Sequence, residues 1–245
     1  LEAREAVDLM AFLNRYDLDR TRPDAATVRR DLLVRVLIPG IVLFGLLTGL
    51  GFLLKGPLNG LEVSEERINT YLANHRSPLW NSITAAWSHI GNTEYVIGVC
   101  ILLVALMWWR TKEWWYAVAP GIAISVQAAA FVPATNLVDR PRPTVPHLDP
   151  APPTSSFPSG HVGAATALYW TLAMMAQRIE NRPLRRLVTL ICVVIPLLVA
   201  YARLYRGMHH LVDVLVGFLN GVISQVIGWL WVRRDPQGHD AQTRA

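Results

Sequence analysis

The chain has 245 residues, of which 52% are hydrophobic and only 17% are charged, and its formal net charge is +5 at pH 7. This composition is too apolar for an ordinary soluble domain and favours an integral membrane protein. In a soluble protein the basic balance would suggest a nucleic-acid partner. In a membrane chain the positions of the basic residues matter more than their sum, and we expect no nucleic-acid partner.

Residues 1–33 are charged and partly amphipathic, with Val7, Met10 and Leu13 near helical spacing. This pattern predicts either a helix lying on the inner membrane surface or a solvated cytoplasmic helix. We interpret the segment as a cytoplasmic N-terminal region that precedes a retained first span rather than as a signal peptide.

A helix needs roughly 20 apolar residues to cross a hydrocarbon core of about 30 Å. The sequence contains six such stretches, at about 34–54, 93–110, 114–136, 160–178, 187–205 and 211–232. We therefore expect one all-α membrane domain over 1–245, an integral bundle of six transmembrane helices with interfacial amphipathic helices.

The basic residues are unevenly distributed about these spans. Most of the 23 Lys and Arg residues precede the first span, follow the second and fourth spans, or lie in the C-terminal tail. By the positive-inside rule, both termini are expected to be cytoplasmic in a multi-pass protein of the cell membrane.

An interfacial helix is predicted between the first two spans. Ser64 resembles a helix N-cap, and Ile68, Tyr71 and Leu72 would form the apolar stripe of a helix near 64–75. Residues 77–92 are expected to continue this amphipathic structure.

The loop 137–159 is rich in proline, which fixes φ and removes backbone donors. We expect it to be stiff and extended. Composition alone would make it a spacer between spans, but chemically distinctive residues stand at both of its ends.

Pro158-Ser159-Gly160-His161 stands where this loop meets the fourth predicted span. The N-terminus of a helix offers free N–H groups to an anion, and Gly160 permits close approach to the backbone. Taken alone, Ser159 is equally well explained as an N-cap and His161 as an interfacial histidine.

A second motif reads Arg203-x5-His209-x3-Asp213. Residues four apart share a helical face, so Asp213 is expected to hydrogen-bond one ring nitrogen of His209 and leave the other as a nucleophile. The alternative is a structural ion pair.

Arg140-Pro141-Arg142-Pro143 adds two guanidinium groups suited to phosphate oxygens. The predicted topology brings all three motifs to one membrane face, where they would form a phosphate site.

In this order the motifs resemble those of the type 2 phosphatidic acid phosphatase superfamily of six-span lipid phosphate phosphatases. The resemblance implies a reaction without metal or cofactor, in which His209 attacks phosphorus, Asp213 holds its ring and His161 protonates the leaving oxygen. Arg142 and Arg203, with the backbone at Ser159, Gly160 and His161, would bind the phosphate.

Two positions depart from the family pattern. Thr135 replaces the usual lysine, and Ala202 replaces the serine before Arg203. Thr135, Arg140 and Arg206 are therefore candidates for an auxiliary role in phosphate binding.

The leading hypothesis is a phosphatase acting at the outer leaflet on a polyprenyl diphosphate such as undecaprenyl diphosphate, a phosphatidylglycerol phosphate or a phosphatidic acid, with no required protein partner. The alternatives are a lipid-phosphate-binding protein with little or no turnover and a phosphoryl or head-group transferase of the same fold.

Overall fold

The protein is all-helical in the part that the computed structural model describes, residues 11–151 and 154–234. The α-helices there are α1 (Arg15–Leu18), α2 (Ala25–Asp31), α3 (Ile38–Lys55), α4 (Leu61–Asn74), α5 (Pro78–Ile90), α6 (Thr93–Thr111), α7 (Trp114–Ala117), α8 (Ala119–Val138), α9 (Gly160–Met175), α10 (Arg182–Tyr205) and α11 (Leu211–Trp229). A π-helical stretch, Leu32–Leu37, joins α2 to α3. The predicted all-α class is confirmed.

Among the described residues, five helical segments are long and apolar enough to cross a membrane. They are Ala25–Lys55, Thr93–Thr111, Trp114–Val138, Arg182–Tyr205 and Leu211–Trp229. The fourth predicted span, 160–178, is instead the 16-residue helix α9 followed by a 3₁₀ turn. At 1.5 Å per residue, α9 is about 24 Å long, shorter than the hydrocarbon core. The predicted count of six spans is therefore not confirmed.

Helix α9 lies at the centre of the bundle, packed against α8, α10 and α11. Small residues allow this close packing. A Cβ on Gly217 of α11 would lie 2.5 Å from the Ser159 carbonyl oxygen, and one on Gly221 would lie 2.6 Å from the Gly163 carbonyl oxygen. The start of α9 is thus pressed against α11, where Asp213 lies one turn before Gly217.

The N-terminal segment packs against the end of the bundle opposite to His161. Arg15 donates to the carbonyls of Trp229 and Val232, both at 2.7 Å, and the Tyr16 hydroxyl donates to the Trp229 carbonyl at 3.0 Å. Arg15 and Tyr16 are buried by these contacts, so this part of the segment is not a solvated helix. Val7 and Met10 lie outside the described residues.

A helix is present at the position predicted near 64–75, as α4, but its predicted N-cap is wrong. The helix begins at Leu61, so Ser64 lies inside it and is not the N-cap. Ile68 and Tyr71 of the predicted apolar stripe are exposed, and the side chains that α4 buries against the bundle are the polar Glu65 and Asn69. The predicted continuation over 77–92 is helix α5, and the loop after Val138 is non-helical up to α9 over its described residues.

Candidate active site

A cavity of about 390 Å³ opens where α8 ends, α9 begins and the turn between α10 and α11 passes. Its polar lining includes Thr135, Arg142, His161, Arg203 and His209. Its apolar lining includes Val96, Ile97, Ile124, Ala128, Phe131, Val132 and Ala164. Ile124 lies 11 residues before Thr135 on α8, so at 1.5 Å per residue the lining extends about 16 Å along the helix. The cavity therefore joins a cationic head to an apolar channel.

The ring of His209 is held by a backbone carbonyl. Its Nδ1 lies 2.6 Å from the Ser156 carbonyl oxygen, which only accepts hydrogen bonds, so Nδ1 carries the proton and Nε2 keeps a free electron pair. The amide of Asn69 donates to the carbonyl of His209 itself at 3.1 Å. The nucleophile candidate is thus fixed from two sides.

His209 is buried, and this burial lowers its pKa well below the ordinary value. The charge of Arg203 lowers the pKa further, while Asp213 acts in the opposite direction without outweighing them. The ring is therefore uncharged at neutral pH, as a nucleophile requires.

The predicted hydrogen bond between Asp213 and His209 is wrong. Asp213 accepts from Arg140 Nη1 at 2.5 Å and from the backbone N–H of His210 at 2.9 Å. The reason lies in the helix boundary: α11 begins at Leu211, so His209 precedes the helix and the four-residue spacing does not align the two side chains.

Arg140 does not line the cavity. Its second nitrogen donates to Glu65 at 2.6 Å, and Glu65 also accepts from the backbone N–H of Val212 at 2.6 Å. Arg140 is thereby committed to a buried ionic chain that joins α4 to the start of α11, and its candidacy as an auxiliary phosphate ligand is not supported.

The first turn of α9 contributes to the cavity through Gly160 and His161. Their N–H groups have no acceptor within the helix. A Cβ on Gly160 would lie 2.6 Å from the Phe131 ring, so only glycine fits there. Ser159 is buried outside the lining and its N–H donates to the Asp213 carbonyl at 2.9 Å, so the structure places it behind the cavity rather than in it.

Backbone carbonyls also orient Arg142. Its Nη1 donates to the carbonyl of Met208 at 2.7 Å, and its Nη2 to the carbonyls of Thr154 and Ser155, each at 3.3 Å. Because carbonyl oxygens are uncharged, these contacts hold Arg142 in the cavity wall without neutralising its charge.

Arg203, by contrast, has a carboxylate partner. Its Nη1 donates to Asp149 at 2.8 Å and to the Ser88 hydroxyl at 2.9 Å. Asp149 also pairs with Arg206 at 2.6 Å, and Arg206 lies outside the cavity lining, so its candidacy as an auxiliary ligand is not supported.

Burial raises the pKa of Asp149, but hydrogen bonding from Arg206 and the charge of Arg203 outweigh it and hold the pKa below the ordinary value. The carboxylate is therefore ionised at neutral pH. Sequence reasoning missed Asp149, although Asp139 and Asp149 are the only acidic residues in the loop 137–159.

The two departures from the family pattern differ in position. Thr135 lines the cavity, with its hydroxyl 3.4 Å from the Ser155 carbonyl. Ala202 is fully buried and does not line it. Only the replacement at 135 changes the cavity wall itself.

Within residues 11–151 and 154–234, no group of three His, Cys, Asp or Glu side chains is arranged to hold a metal ion. The groups that meet in the cavity are instead two guanidiniums and two imidazoles. This set is suited to binding a phosphate, attacking it and transferring a proton.

Comparison with known proteins relates both the sequence and the fold to membrane phosphatases. A phosphatidylglycerophosphatase B of Bacillus subtilis is 25% identical over 169 residues, which span 67% of this chain and 81% of that protein. The fold resembles the crystal structure of a transmembrane PAP2 type phosphatidylglycerolphosphate phosphatase from Bacillus subtilis, with a TM-score of 0.65 and 23% identity over 83% of this chain and 96% of that one. It also resembles LpxE of Aquifex aeolicus, with a TM-score of 0.53 and 24% identity over 66% of this chain and 92% of that one.

The model of the PAP2 superfamily matches residues 112–237, a segment that contains the cavity motifs from Thr135 to Asp213. The chain therefore belongs to the PAP2 superfamily of membrane phosphatases.

Proposed function

We propose that this protein hydrolyses a lipid phosphate without a metal ion, through a phosphohistidine on His209. The observation that carries the proposal is the hydrogen bond from His209 Nδ1 to the Ser156 carbonyl, which leaves Nε2 as a neutral nucleophile in a cavity shared with His161, Arg142 and Arg203. The apolar channel beside these groups supports a lipid rather than a small soluble phosphate.

In the proposed reaction, the electron pair of His209 Nε2 forms a P–N bond while the P–O bond to the lipid breaks. The leaving oxygen takes the bonding pair and a proton from His161. Neutral His161 then takes a proton from water, whose oxygen attacks phosphorus, and the P–N pair returns to His209. Arg142 and Arg203 stabilise the charge on the phosphate oxygens in both steps.

Among the candidate substrates, the cations favour a phosphate monoester over a diphosphate. Arg140 and Arg206 lie outside the cavity lining, and Thr135 adds no charge, so the guanidiniums that face the substrate are Arg142 and Arg203. A monoester dianion matches that charge better than a diphosphate does. The relative named phosphatidylglycerophosphatase B makes phosphatidylglycerol phosphate the first monoester to test.

The proposed sidedness places the cavity on the extracytoplasmic face of the cell membrane. The support is the accumulation of Lys and Arg in segments that adjoin the opposite end of the bundle.

The test is release of inorganic phosphate from phosphatidylglycerol phosphate, phosphatidic acid and undecaprenyl diphosphate by the purified chain in detergent with EDTA. We expect release that survives EDTA, is fastest for a monoester and falls by at least about a thousandfold in His209→Ala. Binding of these lipids without release from any of them would identify a binding protein. Release only when a second acceptor is added would identify a transferase.

A further inference from the structure

Asn92 occupies the N-cap position of α6 but does not cap that helix. An asparagine at this position ordinarily accepts a hydrogen bond from a backbone N–H of the first turn. Here its Oδ1 lies 2.9 Å from Nε2 of His161, a residue of the cavity wall. The amide of Asn92 therefore makes its hydrogen bond to α9 rather than to the first turn of α6.

The backbone beside Asn92 is held against His161. A Cβ on Gly91 would lie 2.8 Å from the Val199 side chain and 3.2 Å from Cβ of His161, so a larger residue would push α6 away from α9. The absence of a side chain at Gly91 thus allows the amide of Asn92 to reach the imidazole.

The amide oxygen of Asn92 only accepts hydrogen bonds, so this contact keeps a proton on Nε2 of His161. Across the described residues, Nδ1 of this ring has no hydrogen-bond partner. In the protonated ring, Nδ1 is then the nitrogen whose proton is free to transfer.

Burial, followed by the charge of Arg203, lowers the pKa of His161 to about 3, so the ring is neutral in the free protein at neutral pH. The acid role therefore depends on the negative charge of the bound phosphate, which raises this pKa. The charged or titratable groups around His161 are Arg142 and Asp149 from the loop, Arg203 from α10, His209 from the following turn and His89 from α5.

We propose that Asn92 is a positioning residue for proton transfer: it fixes the ring of His161 with Nε2–H bound and Nδ1 directed to the leaving oxygen. This inference rests on the proposed phosphatase function. An amide suits the role because it stabilises the protonated ring without neutralising its charge, so the ring still releases its proton when the P–O bond breaks.

The test uses two substrates that differ in their need for an acid. One is an alkyl phosphate, whose alkoxide leaves only with a proton. The other is a nitrophenyl phosphate carrying a matched alkyl chain, whose phenolate leaves without one. We expect Asn92→Ala to lower kcat/KM for the alkyl phosphate by about 10- to 100-fold and to change that for the nitrophenyl phosphate by less than about threefold.

His161→Ala should give the same selective pattern with a larger loss. Asn92→Asp should recover most of the alkyl phosphate activity, because a carboxylate accepts the same hydrogen bond. It should also move the alkaline limb of the alkyl phosphate pH profile to higher pH, because the carboxylate stabilises protonated His161.

The matched control is Asn81→Ala, since the Asn81 side chain accepts from Tyr205 and touches no reacting group.

An equal loss of activity toward both substrates in Asn92→Ala would assign Asn92 a structural role and overturn the inference while leaving the phosphatase function intact. An unchanged rate with the alkyl phosphate would also overturn it. If the parent protein released phosphate from neither compound nor from any lipid, the function and the inference would both fail.

Discussion

Backbone carbonyls orient two of the reactive side chains of this site, His209 and Arg142. Ser156 holds His209, and Met208 holds Arg142. A carbonyl oxygen has no second protonation state near neutral pH, so it fixes the tautomer of the histidine and the direction of the guanidinium without competing for charge. Arg203 is the exception because Asp149 neutralises part of its charge.

Thr135 is the position at which one substitution tests the phosphate end of the cavity. Thr135→Lys should raise kcat/KM for a lipid phosphate monoester by about 10- to 100-fold, because one charge-assisted hydrogen bond is worth about 1.5–3 kcal/mol. Thr135→Met has a similar length without the charge and should give no increase. Equal effects of the two substitutions would show that residue 135 does not act on the phosphate by charge.

At the residue scale, the motifs predict part of the site. Thr135, Arg142, Gly160, His161, Arg203 and His209 all line one cavity. The hydrogen-bond partners of these side chains were missed or predicted wrongly, because they depend on where the helices end and on how the loop folds. Asp213 does not contact the ring of His209, because α11 begins after His209. Ser88, Asn92 and Ser156 come from other segments, and no local sequence pattern shows that these segments lie beside the site in the folded protein.

Among the elements, α4 has the least expected role. The sequence predicts an interfacial helix with an apolar stripe and no contact with the site, but α4 does contact the site, through polar side chains. Asn69 donates to the carbonyl of His209, and Glu65 joins Arg140 to the backbone of α11. The sequence predicts the helix correctly because helical periodicity is local, yet it cannot show which face meets the bundle.

Glu65→Ala should lower the thermal midpoint of unfolding in detergent and reduce phosphate release. Removing one partner of a buried ion pair costs about 3–5 kcal/mol, and here it also leaves the Val212 N–H without its acceptor. Glu62→Ala is the matched control, because Glu62 lies one turn earlier on the same helix and is partly exposed. Equal midpoints for the two variants would contradict a structural role for Glu65.

The whole molecule has two chemically different ends. One end gathers the cavity and the Pro-rich loop, and the other gathers Arg15, Tyr16 and the aromatic residues around Trp229. Helix α6 connects them, running from Thr93 beside the cavity to Thr111 about 27 Å away. Span positions and charge distribution predict this polarity. The fourth predicted span runs to residue 178, but α9 ends at Met175 and Ala176–Arg178 form a 3₁₀ turn.

The proposed orientation predicts which end is accessible from outside the cell. An impermeant maleimide should label Asn74→Cys in intact cells and Arg110→Cys only after the membrane is opened, because these exposed positions lie at opposite ends. The native Cys100 and Cys192 are buried and serve as the unlabelled background. Labelling of Arg110→Cys alone in intact cells would reverse the orientation.

The central claim is that His209 carries the phosphoryl group, and the most direct measurement is a rapid-quench experiment on His161→Ala with the nitrophenyl phosphate. This variant should form the phosphoenzyme, because the phenolate needs no acid, but hydrolyse it slowly, because the attacking water lacks its base. The account predicts a burst of nitrophenolate close to one equivalent per protein and an acid-labile, base-stable phosphate on His209. Steady release of nitrophenolate with no burst and no label, or a label on another residue, would contradict it.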